Sequence, residues 1–118
     1  MRAEDIIQKS IVGYLETVVP RVFVFAVPNA ARRGPGQRAG NAVPGLKAGV
    51  PDVCFIVDRR PYFVEVKRPD GSGLSDKQVE CHREMRQLDI DVTTVTSIEE
   101  LRFALADWGI KTREATHA

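Results

Sequence analysis

DVCFIVDRRPYFVEVK, residues 52–67, decides the fold. Two runs rich in β-branched and aromatic residues, DVCFIV (52–57) and YFVEVK (62–67), flank Asp58-Arg59-Arg60-Pro61. Such runs around a short polar break read as two strands joined in a hairpin. If the loop is even-numbered and centred on Arg59 and Arg60, Asp52 pairs with Lys67 and Cys54 with Glu65. Same-face neighbours on paired strands lie roughly 5 Å apart directly and about 7–8 Å diagonally. Asp52, Glu65 and Lys67 are therefore expected on one face, at the open end of the hairpin.

Upstream of the hairpin, residues 4–18 place Ile7, Ile11, Tyr14, Leu15 and Val18 at helical spacing. Pro20 ends that helix, and RVFVFAV (21–27) reads as a strand. Downstream, RPDGSG (68–73) is a turn, and Ser75 with Gln78 forms a capping box that opens a second helix. Cys81, Met85 and Leu88 share one stripe of it. DVTTVT (91–96) is a further strand. Ser97 with Glu100 caps a last helix whose Ile98, Leu101, Leu105 and Trp108 face inward. A weakly structured tail is expected over 109–118. The order α-β-β-β-α-β-α predicts an α/β fold, a mixed sheet flanked by helices.

With 118 residues, 43% hydrophobic and 28% charged, the chain fits one domain. A domain this small buries only roughly two-thirds of its unfolded surface, so a homodimer is expected to add burial. No apolar run approaches the roughly 20 residues of a membrane span. MRAEDIIQKS at the N-terminus carries two acids within five residues and no apolar signal core. The expected location is the cytoplasm. Cys54 and Cys81 form no CxxC motif and are expected as buried free thiols.

The net charge of +1 is unevenly spread. Residues 28–51 contain no Asp or Glu but hold Arg32, Arg33, Arg38 and Lys47, together with four of the seven prolines and five of the nine glycines. This loop is +4 and the remainder −3, thirteen basic residues against sixteen acidic. Long aperiodic loops in small domains are usually functional or disordered, and a localised basic patch is the footprint of a phosphate backbone. Its four cations are candidate phosphate contacts, and Asn29 could position the loop.

Two carboxylates on one face repel unless a cation lies between them. Oxygen-only ligation suits Mg²⁺ or Mn²⁺ rather than Zn²⁺. Such an ion polarises a phosphoryl oxygen and lowers the pKa of an attacking water. A lysine two residues from the glutamate can orient that water and offset transition-state charge. Spacing and chemistry together point to phosphodiester hydrolysis.

Pro51-Asp52 followed by Glu65-Val66-Lys67 resembles the PD-(D/E)xK signature of the restriction-endonuclease-like superfamily. The surrounding Gly45-Leu46-Lys47-Ala48-Gly49-Val50, Arg68-Pro69 and Leu74-Ser75-Asp76-Lys77-Gln78, with Pro28-Asn29 and Arg32-Arg33 upstream, are similar to the VRR-NUC family. That family includes small standalone phage and bacterial proteins and the nuclease domain of the eukaryotic Fanconi-associated nuclease. The resemblance spans about residues 4–100. It implies a restriction-endonuclease-like core and a Mg²⁺- or Mn²⁺-dependent DNA endonuclease, homodimeric and acting on branched DNA such as Holliday junctions. Carried over by position, it makes Asp52 and Glu65 metal ligands, Lys67 the catalytic lysine and Val66 a carbonyl donor. Glu4, with Glu16 as the other possibility, becomes a helix-borne ligand, and Gln78 a residue beside the active site.

Plainer readings compete at several positions. Glu65 and Lys67 could face solvent from an edge strand, and Pro51-Asp52 could be a simple turn. Glu4 would be stabilised by the helix dipole whatever its function. Gln78 is fully explained by capping, and the arginines could belong to a solvated loop. His82 and His117 read as surface residues, and two histidines so far apart argue against an HNH or zinc site. Trp108 reads as core. A non-catalytic DNA-binding or scaffolding module of the same fold is the reading from another class. A sequence-specific restriction enzyme would need more chain for major-groove readout.

Overall fold

The hairpin turns on two residues, Asp58 and Arg59, both with positive φ (52° and 69°). Two such residues in succession match the twist of antiparallel strands. In the computed structural model, which describes residues 2–28 and 43–114, this turn joins β2 (Val53–Val57) to β3 (Arg60–Val66). The register runs from Val57↔Arg60 to Val53↔Val64, two residues off the pairing expected for a loop centred on Arg59 and Arg60. A slip of two keeps every side chain on its face, whereas a slip of one would have inverted them. The placement of Asp52 and Glu65 on a common face therefore survives the correction.

The remaining elements are α1 (Ala3–Val18), β1 (Phe23–Ala26), α2 (Asp76–Gln87), β4 (Asp91–Val95) and α3 (Ile98–Asp107). They follow the expected order and, among the described residues, make an α/β domain of four strands and three helices. The sheet order is β1-β2-β3-β4, antiparallel for the first two pairs and parallel between β3 and β4. Parallel neighbours need a crossover, which α2 supplies. The S-x-x-Q signal acts as read: Ser75 Oγ accepts the Gln78 N–H, and the Gln78 side chain accepts the Ser75 N–H.

One face of the sheet carries the apolar core, with Thr93, Asp91 and Arg60 at the positions of that face outside it. Val53, Phe55 and Val57 of β2, Tyr62, Val64 and Val66 of β3, and Val95 of β4 pack with Ile11, Leu15 and Val18 of α1 and Leu101 and Leu105 of α3. Phe55 stacks on Tyr62 with centroids 5.1 Å apart, and half-buried Trp108 closes on both rings. Residues 110–114 have no regular structure but are fastened, since the Arg113 N–H donates to the Val18 carbonyl at 2.6 Å and Glu114 pairs with Arg102. Residues 109–114 are thus docked. Burial raises the Tyr14 hydroxyl to about 12, with the Glu114 carboxylate adding to the effect.

On the opposite face α2 packs against β4 and buries Cys81 and His82. Leu88, which shares a stripe with buried Cys81 in the sequence, is the C-cap of α2 and is 75% exposed. Both cysteines are buried free thiols. Among the described residues, no helix is long and apolar enough to cross a membrane.

Candidate active site

Continuing the β2–β3 register by one residue beyond Val53↔Val64 sets Asp52 opposite Glu65. Both lie on the α2 side of the sheet, and they are 4% and 1% exposed. β3 lies between β2 and β4, so the solvated-edge reading of Glu65 is ruled out. Removing two carboxylates from water costs free energy unless hydrogen bonds or counter-charge compensate. Asp52 Oδ2 accepts the Val66 N–H at 2.8 Å. The Asp52 carbonyl accepts the Val27 N–H at 2.8 Å, which ties the aspartate to the strands on both sides. Local backbone geometry, not a flexible side chain, thus fixes the first carboxylate.

Glu65 is held by a residue that the pattern of α2 misassigned. His82 is 1% exposed, and its Nε2 lies 3.1 Å from Glu65 Oε1. Burial lowers its pKa foremost; the charges of Arg86 and Lys67 act in the same direction, and Asp52 opposes them. A neutral imidazole carries one N–H. Nδ1 is buried without a partner, so the proton belongs on Nε2, which donates to Glu65. The expectation of a surface histidine fails because α2 turns Cys81 and His82 inward together. A histidine buries well when a carboxylate meets it, and Glu65 is remote in sequence.

Lys67 follows directly on β3 and is half-buried. Its N–H donates to the Val95 carbonyl at 2.9 Å, extending the ladder by one residue. Its charge reaches His82, so Asp52, Glu65, Lys67 and His82 form one electrostatic neighbourhood. Glu4 stands near this end of the sheet, 4.0 Å from Arg68 (Oε2 to Nε). Glu16 is exposed and twelve residues further along α1, about 18 Å at the helical rise. Glu4 therefore lies toward the Arg68 end of β3, and Glu16 well away along α1. Val66 supplies the N–H to Asp52. Gln78 is engaged at the cap, its Oε1 accepting from Ser75 at 2.9 Å.

The loop leading to Asp52 abuts α2. Gly49 has φ +89°, and a Cβ there would collide with the Lys77 carbonyl. Only glycine allows both the conformation and the approach. The signal was visible as a glycine three residues before Asp52, but its contact is tertiary. Lys47 on the same loop is exposed, with Nζ 3.7 Å from Glu84 Oε2. Asn29, Arg32, Arg33 and Arg38 lie outside the described residues.

Among the described residues, no three His, Cys, Asp or Glu side chains form a group placed to hold a metal ion. The available set is the two carboxylates of Asp52 and Glu65. Mg²⁺ commonly binds through one or two carboxylates, keeping waters and taking substrate phosphate oxygens. Two opposed oxygen donors fit that habit, and they do not fit a closed tetrahedral zinc site.

Fold and site together define an α/β domain with a buried acidic pair, a histidine and a lysine at one end of a mixed sheet. No protein-family model, curated protein or solved structure matches the chain.

Proposed function

We propose that the protein is a Mg²⁺- or Mn²⁺-dependent DNA endonuclease of the VRR-NUC type, with a restriction-endonuclease-like core. The observation that carries this reading is the buried Asp52–Glu65 pair, set opposite each other beside Lys67. A bound divalent ion would polarise the phosphoryl oxygen under attack and acidify the hydrolytic water. Asp52 and Glu65 would hold the ion, with Glu4 and the Val66 carbonyl as further donors. Lys67 would orient the water and offset charge gathering on the phosphate. Asn29, Arg32, Arg33, Arg38 and Lys47 would grip the backbone, a contribution that weakens as salt rises. Gln78 would serve the site by fixing the first turn of α2.

The preferred substrate in this reading is branched DNA. A Holliday junction has two-fold symmetry, and paired cuts call for two active sites related by a two-fold axis. The protein would accordingly act as a homodimer, in the cytoplasm of a bacterium or phage-infected cell.

The test is cleavage of duplex, flap, splayed and four-way DNA with Mg²⁺ and Mn²⁺. Wild type should cut a branched substrate. Asp52→Ala, Glu65→Ala and Lys67→Ala should each lose on the order of 100-fold or more, the scale seen when one transition-state stabiliser is removed. Metal binding should weaken in the two carboxylate variants and persist in Lys67→Ala. Wild-type cleavage by Glu65→Ala would sink the assignment. DNA binding with no cleavage of any substrate would favour the scaffolding module.

A further inference from the structure

We infer that His82 is a positioning residue for Glu65: its Nε2–H anchors Oε1 and holds the carboxylate opposite Asp52. The inference rests on the nuclease reading and adds a residue to its machinery.

Three observations support it. First, the Nε2–Oε1 contact is 3.1 Å between side chains each 1% exposed, so solvent does not compete for it. Ligating carboxylates need such outer partners to fix their orientation.

Second, the histidine is a poor choice for stability alone. Its Nδ1 is buried with no partner, and an unsatisfied buried polar atom costs free energy that leucine at the same place would not. A buried group of this kind calls for an explanation beyond packing. The hydrogen bond to Glu65 supplies one.

Third, the helix carrying His82 is braced against the loop carrying Asp52. Gly49 packs on the Lys77 carbonyl in the first turn of α2. The capping box locks that turn, and Asp52 follows three residues after Gly49. The two carboxylates are therefore linked twice, once through the β2–β3 ladder and once through α2. His82 is the member of the second link that touches a carboxylate.

The experiment compares wild type, Glu65→Ala, His82→Leu and His82→Gln for Mn²⁺ binding by calorimetry and for cleavage of a four-way junction. Leucine removes the donor and keeps apolar bulk; glutamine returns an N–H. His82→Leu should bind Mn²⁺ about 10–100-fold more weakly, the range typical of lost outer-shell partners. Its kcat should fall while KM for DNA holds. His82→Gln should recover a large part of both losses, which packing alone would not explain. Wild-type Mn²⁺ affinity in folded His82→Leu would overturn the inference.

Should His82→Leu fail to fold, wild type still decides. The His82 ring ¹⁵N resonances should move on Mg²⁺ titration with the midpoint of Mg²⁺ binding. Resonances that stay still while Mg²⁺ binds would overturn the positioning role and leave the nuclease reading intact. No Mn²⁺ binding by wild type, with Glu65→Ala indistinguishable from it, would overturn the nuclease reading itself and His82's role with it.

Discussion

The two faces of the sheet are built to different rules. Toward α1 and α3, alternate residues of β2 and β3 are Val53, Phe55, Val57, Tyr62, Val64 and Val66, all buried among Ile11, Leu15, Leu101 and Leu105. Toward α2, the intervening positions bury Asp52, Cys54 and Glu65 on the side where α2 buries Cys81 and His82, and Glu65 meets His82. The first face buries carbon against carbon and contributes the hydrophobic term that folds the chain. The second buries two carboxylates and an imidazole, which hydrogen bonds make tolerable. On that same side Phe23, Phe25 and Ile56, further along the sheet, are exposed. One face supplies stability and the other spends part of it on holding buried ionisable groups, a division that mutation can test.

The largest effect belongs to the apolar face. Phe55→Ala should lower stability by about 3–5 kcal/mol through lost burial and a residual cavity, measured by urea denaturation. Metal affinity per folded molecule should stay near wild type. The mirror experiment is Asp52→Asn, which keeps an oxygen to accept the Val66 N–H but removes a charge facing Glu65. Its stability should match or exceed wild type while Mn²⁺ binding falls. If Asp52→Asn is instead the more destabilising change, the α2 face is structural and the contrast between the faces collapses.

A second distinction is pH. Burial holds the folded-state pKa of His82 below its ordinary 6.5, so protonation favours the unfolded chain. The associated stability is present above about pH 6.5 and lost as pH falls toward the folded pKa. In metal-free protein, the melting temperature should therefore decline on acidification below that value, before carboxylates titrate. Arg86 and Lys67 steepen the loss and Asp52 moderates it. His82→Gln should flatten the curve between about pH 6.5 and 5 relative to wild type. Superimposable curves would mean that His82 takes up its proton without cost and is not sealed on this face.

Element order and the apolar face were legible because they are written locally. Ile11 and Leu15 repeat at helical spacing, the strands alternate, and Ser75 and Gln78 announce a helix start within four residues. The acidic pair was legible too, as residues that share a face under any even register. The register itself was not, because Asp58 and Arg59 adopt positive φ without the Asn-Gly or Asp-Gly signature of such turns. His82 was hidden for another reason. A stripe through Cys81, Met85 and Leu88 ranks residues by hydropathy, and Leu88 satisfies that ranking yet falls at the exposed helix end. The burial of His82 depends on Glu65, in a different element. Contacts made across the fold, such as Gly49 against Lys77, leave only an ambiguous glycine in the sequence.

The smallest predicted effect separates the faces most cleanly. α2 and α3 begin alike: Ser75 accepts the Gln78 N–H at 3.2 Å and Ser97 the Glu100 N–H at 3.3 Å. Ser75→Ala and Ser97→Ala should each cost about 0.5–2 kcal/mol, the usual loss of an N-cap, and thermal melts should barely tell them apart. Their consequences for metal should differ. Ser75→Ala loosens the turn that rests on Gly49 and, through α2, the histidine that holds Glu65, so Mn²⁺ affinity should drop with stability. Ser97→Ala loosens a helix whose buried residues, Leu101 and Leu105, belong to the apolar face, and Glu100 Oε1 still accepts from the Thr96 N–H and hydroxyl. Its Mn²⁺ affinity should be that of wild type. Equal losses of affinity in the two variants would show that the site follows global stability. Loss in Ser75→Ala alone would show that it follows the placement of α2.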